Sequence, residues 1–123
     1  VAEKMYLNDA HLSAVNVVIG SNYVIAGAED DYHCPEFEHL WSQSNRTTPP
    51  GAEYEKAAFD FVSAGLDFYQ SHPKMGAMVL ECTGFPPFAR ALQREIDIPL
   101  FSWGTLLDFA YSITVHRDYY GHV

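Results

Sequence analysis

Three short apolar runs, Tyr23-Val24-Ile25-Ala26-Gly27, Ala77-Met78-Val79-Leu80 and Ile98-Pro99-Leu100-Phe101, are separated by segments long enough to hold helices. Strands spaced this way pair in parallel, because each return to the same sheet edge needs a crossover of a dozen or more residues. The expected class is therefore α/β, with a parallel sheet of about three strands and helices on both faces. The run 77–80 is uninterrupted by polar residues, which predicts a strand buried on both faces.

The segments between the runs read as follows. Asn8 is placed to cap a short helix reaching Ala14. The stretch 28–51 is polar, acidic at Glu29-Asp30-Asp31, and ends in Thr47-Thr48-Pro49-Pro50-Gly51, so it reads as one long loop. Ala57, Ala58, Phe61, Val62, Gly65, Leu66 and Tyr69 recur at three- and four-residue spacing and describe one face of a helix over 53–71, which Pro73 stops. Pro86 and Pro87 open a further helix carried by Ala89, Leu92, Gln93 and Ile96, and a last helix covers 103–115.

With 123 residues, 48% of them apolar, the chain forms one domain spanning 1–123. Its net charge of −9 is the wrong sign for gripping phosphate backbones or anionic lipid, so nucleic acid and membrane surfaces are excluded as partners. The longest apolar stretches, 15–19 and 77–80, are far too short to span a bilayer. Two cysteines 48 positions apart make neither a disulfide framework nor a C-x-x-C pair, which points to a reducing, cytoplasmic setting. Asn45-Arg46-Thr47 fits the N-glycosylation sequon, a short pattern that arises often by chance. A three-stranded sheet is small for an independent fold, so its completion is expected from a missing part before Val1, a second chain or a second copy.

In a parallel sheet, ligands bind where the carboxyl ends of strands lead into helices. Cys82-Thr83-Gly84-Phe85 occupies such a turn. A thiol there faces the positive end of the next helix and free N–H groups, which would lower its pKa. Thr83 offers a hydroxyl, Gly84 allows close backbone approach, and the N–H groups through Phe85 would cradle a carboxylate. The competing reading makes Cys82 a buried core thiol. A phosphate-loop cysteine phosphatase is excluded, since Phe88 stands where its Arg is needed. His33, Cys34, Glu36, Glu38 and His39 lack a zinc-finger spacing and describe a solvated loop, so no metal site is assigned.

The segment Gly76-Ala77-Met78-Val79-Leu80-Glu81-Cys82-Thr83-Gly84-Phe85-Pro86-Pro87-Phe88-Ala89-Arg90-Ala91-Leu92-Gln93, followed by Ile98-Pro99-Leu100-Phe101, resembles the aspartate/glutamate/hydantoin racemase superfamily. It is similar to the C-terminal half of members with an "ECT" segment. The resemblance implies a flavodoxin-like half-domain that needs no cofactor and no metal, acting as a racemase or isomerase on a small carboxylated substrate such as an amino acid or hydantoin. Cys82 would be one of two acid/base cysteines, and Thr83 a contact to the substrate carboxylate. Gly84 stands where many relatives carry Asn or His, and Ser102 where close relatives often have an acid. With Thr105, Ser102 would line the site, unless both serve to cap the last helix. The partner cysteine lies in the other half, and Cys34 does not take its place. Chemistry like that of maleate isomerases or decarboxylases is also open. So are a non-catalytic half-molecule that only binds a small acid or a partner chain, and an interaction module working through the acidic loop.

Overall fold

The computed structural model describes residues 1–18, 22–29, 31–42 and 44–121; Ile19 and Asp30, named above in the apolar and acidic stretches, lie outside them. A 3-10 turn at Lys4–Tyr6 precedes α1 (Asp9–Ala14), α2 (Pro35–Trp41), α3 (Tyr54–Ser71), β1 (Met78–Leu80), α4 (Pro86–Gln93), β2 (Leu100–Ser102) and α5 (Trp103–Thr114). β1 and β2 pair in parallel, with Met78 opposite Leu100 and Leu80 opposite Ser102. The chain is thus mixed α and β, with α4 as the crossover between parallel strands.

Local chemistry accounts for the helices. Asn8 caps α1 through its side chain, which accepts from the Ala10 N–H at 3.0 Å, while His11 Nδ1 accepts from the Asn8 N–H at 3.2 Å. α3 turns the predicted face inward, with Ala57 and Phe61 buried. At Gly65 it meets α4 so closely that an added Cβ would sit 2.6 Å from Leu92 Cδ2. Leu92 is itself fully buried, so an added methyl would have to displace its side chain within the core.

The long-loop expectation for 28–51 is corrected by α2. Pro35 supplies a preset φ for the first turn, and Phe37 anchors the helix in the core with no exposed surface. A helix of seven residues is too short to leave a periodic signal. Cys34, just before it, is fully buried, and its Sγ lies 3.7 Å from the Asp60 carbonyl of α3. Asn45, in the sequon, donates through its side-chain amide to the buried Glu38 carboxylate.

The strand expected at 23–27 is also corrected. Among the described residues this segment forms no ladder; near its end Val1 donates to the Ala26 carbonyl at 3.0 Å and accepts from the Ala28 N–H at 2.9 Å. The Gly27 N–H turns to Asp31 Oδ2 at 2.7 Å instead of a neighbouring strand. A small apolar recess of about 60 Å³, lined by Ala26, Gly27 and Ala28 on one side and Met78 to Leu80 on the other, separates it from β1. Two strands are therefore present among the described residues, and a flavodoxin-like sheet is not.

Nor is the sheet covered on both faces. Met78, Leu80 and Leu100 point into a core completed by Phe37, Phe61, Phe85, Phe88 and Leu92. Alternation sends Val79 and Phe101 the other way, where they remain 68% and 51% exposed. α5 packs along β2 and buries none of its residues, although Asp108 is the sole charge in 98–115. The total accessible surface, 8889 Å², is about a third more than a compact monomer of 13.8 kDa presents. No helix among the described residues is long and apolar enough to cross a membrane.

Gly65→Ala should lower stability by about 1–3 kcal/mol through overpacking against Leu92, partly offset by better helix propensity. Adding Leu92→Ala should then cost less than it does in the parent chain, because the new methyl occupies part of the cavity. Urea midpoints of the two single variants and the double variant check this; strictly additive losses would refute the contact.

Candidate active site

The carboxyl ends of β1 and β2 lie side by side, so the turn 81–85 and the start of α5 form one edge. Cys82 follows β1 by two residues, and its Sγ accepts a hydrogen bond from the Gly84 N–H at 3.2 Å. The thiol is buried, with 7% of the residue exposed. Thr83 is exposed beside it, and neither its N–H nor its hydroxyl has a partner among the described residues.

The electrostatics depart from the expectation of an acidified thiol. Burial pushes Cys82 up to about 11, helped by the Glu81 carboxylate, against the opposing pull of the Gly84 and Phe85 N–H groups. The helix N-terminus gives little help, for a reason visible in its covalent chemistry. Pro86 and Pro87 fill the first two helical positions and have no N–H, and the Phe88 N–H is taken by the Phe85 carbonyl at 2.9 Å. What remains open toward a ligand is the Thr83 N–H and hydroxyl, a smaller cradle than the sequence suggested. Cys34 is driven further, to about 12, by burial and the nearby Asp60, Glu38 and Glu29 carboxylates. It belongs to the core.

The remaining candidates separate by role. Phe85 is a core residue with 2% exposure, its ring 4.7 Å from Phe61 and 5.1 Å from Phe37, so its side chain does not line the site; its N–H closes the turn onto the Cys82 carbonyl at 3.1 Å. Gly84 contributes its N–H to the thiol. Ser102 and Thr105 cap α5 reciprocally: the Thr105 N–H donates to Ser102 Oγ at 3.4 Å, and the Ser102 N–H donates to Thr105 Oγ1 at 2.9 Å. The Thr105 hydroxyl donates to the Ser102 carbonyl at 2.8 Å, so both side chains take part in the cap. Groups of His, Cys, Asp and Glu able to hold a metal ion are absent among the described residues.

One residue that the sequence reading treated only as the start of a helix stands at this edge. The Trp103 indole N–H donates to the Glu81 carbonyl at 2.6 Å, across from β2 to the peptide that precedes Cys82. Its signal in the sequence is position: it comes directly after β2, in line with Glu81 in the parallel register. Gly104 follows closely enough that a Cβ there would lie 3.7 Å from Pro86 Cβ.

No protein-family model matches the chain, and no solved structure matches it significantly. A stretch of 49 residues, 40% of the chain, is 41% identical to dimethylsulfoniopropionate lyase 5 of Emiliania huxleyi, of which it covers 10%. The match thus spans about a tenth of the length of that curated relative, and the chain has an enzyme among its relatives. The relative's name describes a lyase. That finding overturns the expected racemase or isomerase function, which is not carried forward.

The raised thiol pKa values fix a sign for the alkaline limb of stability. Each folded value lies above the ordinary 9.0, so the two thiols contribute stability in full below pH 9, and it is lost as pH rises through about 11 for Cys82 and about 12 for Cys34. Urea midpoints should fall between pH 9 and 12 more steeply in the parent than in a Cys34→Ala, Cys82→Ala double variant. Equal slopes would show that the thiols titrate alike in the folded and unfolded chain.

Proposed function

We propose that the chain supplies the cysteine side of a lyase site that acts on a small carboxylate bearing a sulfonium group on its β carbon. The observation that carries this reading is the 41% identity over 49 residues to a dimethylsulfoniopropionate lyase. The geometry of the β1 turn supplies the atoms. The Thr83 hydroxyl and N–H receive the substrate carboxylate, and Cys82, as thiolate, takes a proton from the carbon next to it. The electron pair of that C–H bond becomes the second bond between the α and β carbons. The β carbon–sulfur bond breaks with its pair going to sulfur, so the sulfonium leaves as a neutral sulfide and the carboxylate becomes acrylate. Cys82 then returns its proton to solvent.

A thiol with a pKa near 11 is a weak supply of thiolate at neutral pH. A substrate that carries a positive charge into the site offsets this, because a cation beside the sulfur favours its ionised form. The same argument ranks substrates: a neutral thioether lacks both the good leaving group and the charge that would ionise Cys82. The resemblance of 76–93 to the racemase superfamily is kept within this proposal as a likeness in the placement of a cysteine at a strand end, with elimination as the outcome of proton abstraction.

Incubation of the chain with dimethylsulfoniopropionate, followed by proton NMR of acrylate and gas chromatography of dimethyl sulfide, tests the proposal. The ratio kcat/KM, which reports the free thiol, should rise with pH toward 11, the direction set by the raised thiol pKa. Cys82→Ser should lower it by about 10²- to 10⁴-fold. Acrylate release that is absent in the folded parent, or unchanged in the variant, would overturn the assignment.

A further inference from the structure

We infer that Trp103 forms an onium subsite, holding the sulfonium end of the substrate over its indole face while the Thr83 turn holds the carboxylate. The inference rests on the proposed lyase reading and adds to it the residue that selects a cationic substrate. A sulfonium carries no N–H and cannot be read by hydrogen-bond acceptors. Aromatic faces attract such cations through the ring quadrupole, and tryptophan does so best.

Three observations converge on this residue. Its indole nitrogen lies 2.6 Å from the Glu81 carbonyl, in the peptide unit that leads directly into Cys82, so the ring and the thiol belong to one small locale. That hydrogen bond uses the only polar atom of the ring and fixes its orientation, and no aromatic partner for the ring appears among the described residues. Trp103 also remains 44% exposed, whereas Phe37, Phe61, Phe85 and Phe88, the aromatic residues of the core, are 5% exposed or less. The carboxylate and sulfonium of the substrate are three bonds apart, so a ligand held at Thr83 needs its cationic end received within this same edge. The net charge of −9 suits the approach of that end.

Two probes separate the subsite from the reaction: 3-(trimethylammonio)propanoate, a carboxylate with a cationic end (the cationic probe), and 4,4-dimethylpentanoate, a carboxylate whose end of the same shape is uncharged (the neutral probe). Binding of each to the full chain is measured by titration calorimetry for the parent, Trp103→Leu and Trp103→Phe. The parent should bind the cationic probe about tenfold more tightly than the neutral one. In Trp103→Leu the preference should fall below about twofold with the affinity for the neutral probe unchanged, and Trp103→Phe should keep an intermediate preference. Equal affinities in the parent, or a preference that survives in Trp103→Leu, would overturn the inference while leaving Cys82-dependent acrylate release intact. If neither probe binds and acrylate is not formed, the lyase reading and the subsite fall together. Should Trp103→Leu fail to fold by circular dichroism, the phenylalanine variant decides: an undiminished preference there refutes the indole's role.

Discussion

The ring of Phe85 holds the candidate site to the rest of the molecule. It packs against Phe61 of α3 and Phe37 of α2, and Phe88 of α4 lies against the same two partners at 5.7 and 6.1 Å. Because Phe85 sits three residues after Cys82, burial of its ring fixes the turn that carries the thiol. Each aromatic contact of this kind adds about 0.5–1.5 kcal/mol beyond the area it covers. The same packing that gives Cys82 a defined place also removes it from water and raises its pKa. Positional order and thiol acidity therefore oppose each other at this turn, and a positive charge brought by the ligand is a physical way to satisfy both.

Much of the helical layout was legible because it rests on local rules. The Asn8 cap, the periodic face of α3 and the start of α5 after β2 follow from spacing and capping chemistry alone. The site turn was legible as well, since a cysteine past an apolar run and before Pro86 sits at a strand's carboxyl end whatever the rest of the fold does. The absent N–H groups of Pro86 and Pro87 were equally visible, yet a general picture of helix N-termini as anion cradles hid them. Other features were settled by tertiary contact. Residues 23–27 have strand-like composition, but the Gly27 amide is captured by Asp31, a competition that periodicity does not register. The helix α2 depends on Phe37 finding a place among aromatic rings from distant parts of the chain. Trp103 takes its importance from a hydrogen bond to a residue 22 positions away.

The two faces of the small sheet differ in a way that reads directly from alternation. Met78, Leu80 and Leu100 are buried in the core, while Val79 and Phe101 are 68% and 51% exposed, and the apolar residues of α5 (Leu106, Leu107, Phe109 and Ile113) stay more than half exposed. The spacing of strands and helices, with the unbroken apolar run 77–80, leads to an expectation of helices on both faces. Apolar content reports what a segment would gain by being covered, whereas the described contacts report what covers it. Here the difference lies wholly on one face, away from the aromatic core that orders the Cys82 turn.

The hydrogen bond from Trp103 to the Glu81 carbonyl also has a dynamic meaning. It joins the first residue of α5 to the peptide immediately before Cys82, beyond the end of the short ladder between β1 and β2. Local openings follow cooperative groups of contacts rather than single residues. Fraying of α5 at its first turn therefore loosens the Cys82 turn in the same event, and ordering of one by a ligand orders the other. The start of α5 and the thiol turn are thus coupled to one another, and through Phe85 both are tied to the aromatic core beneath them.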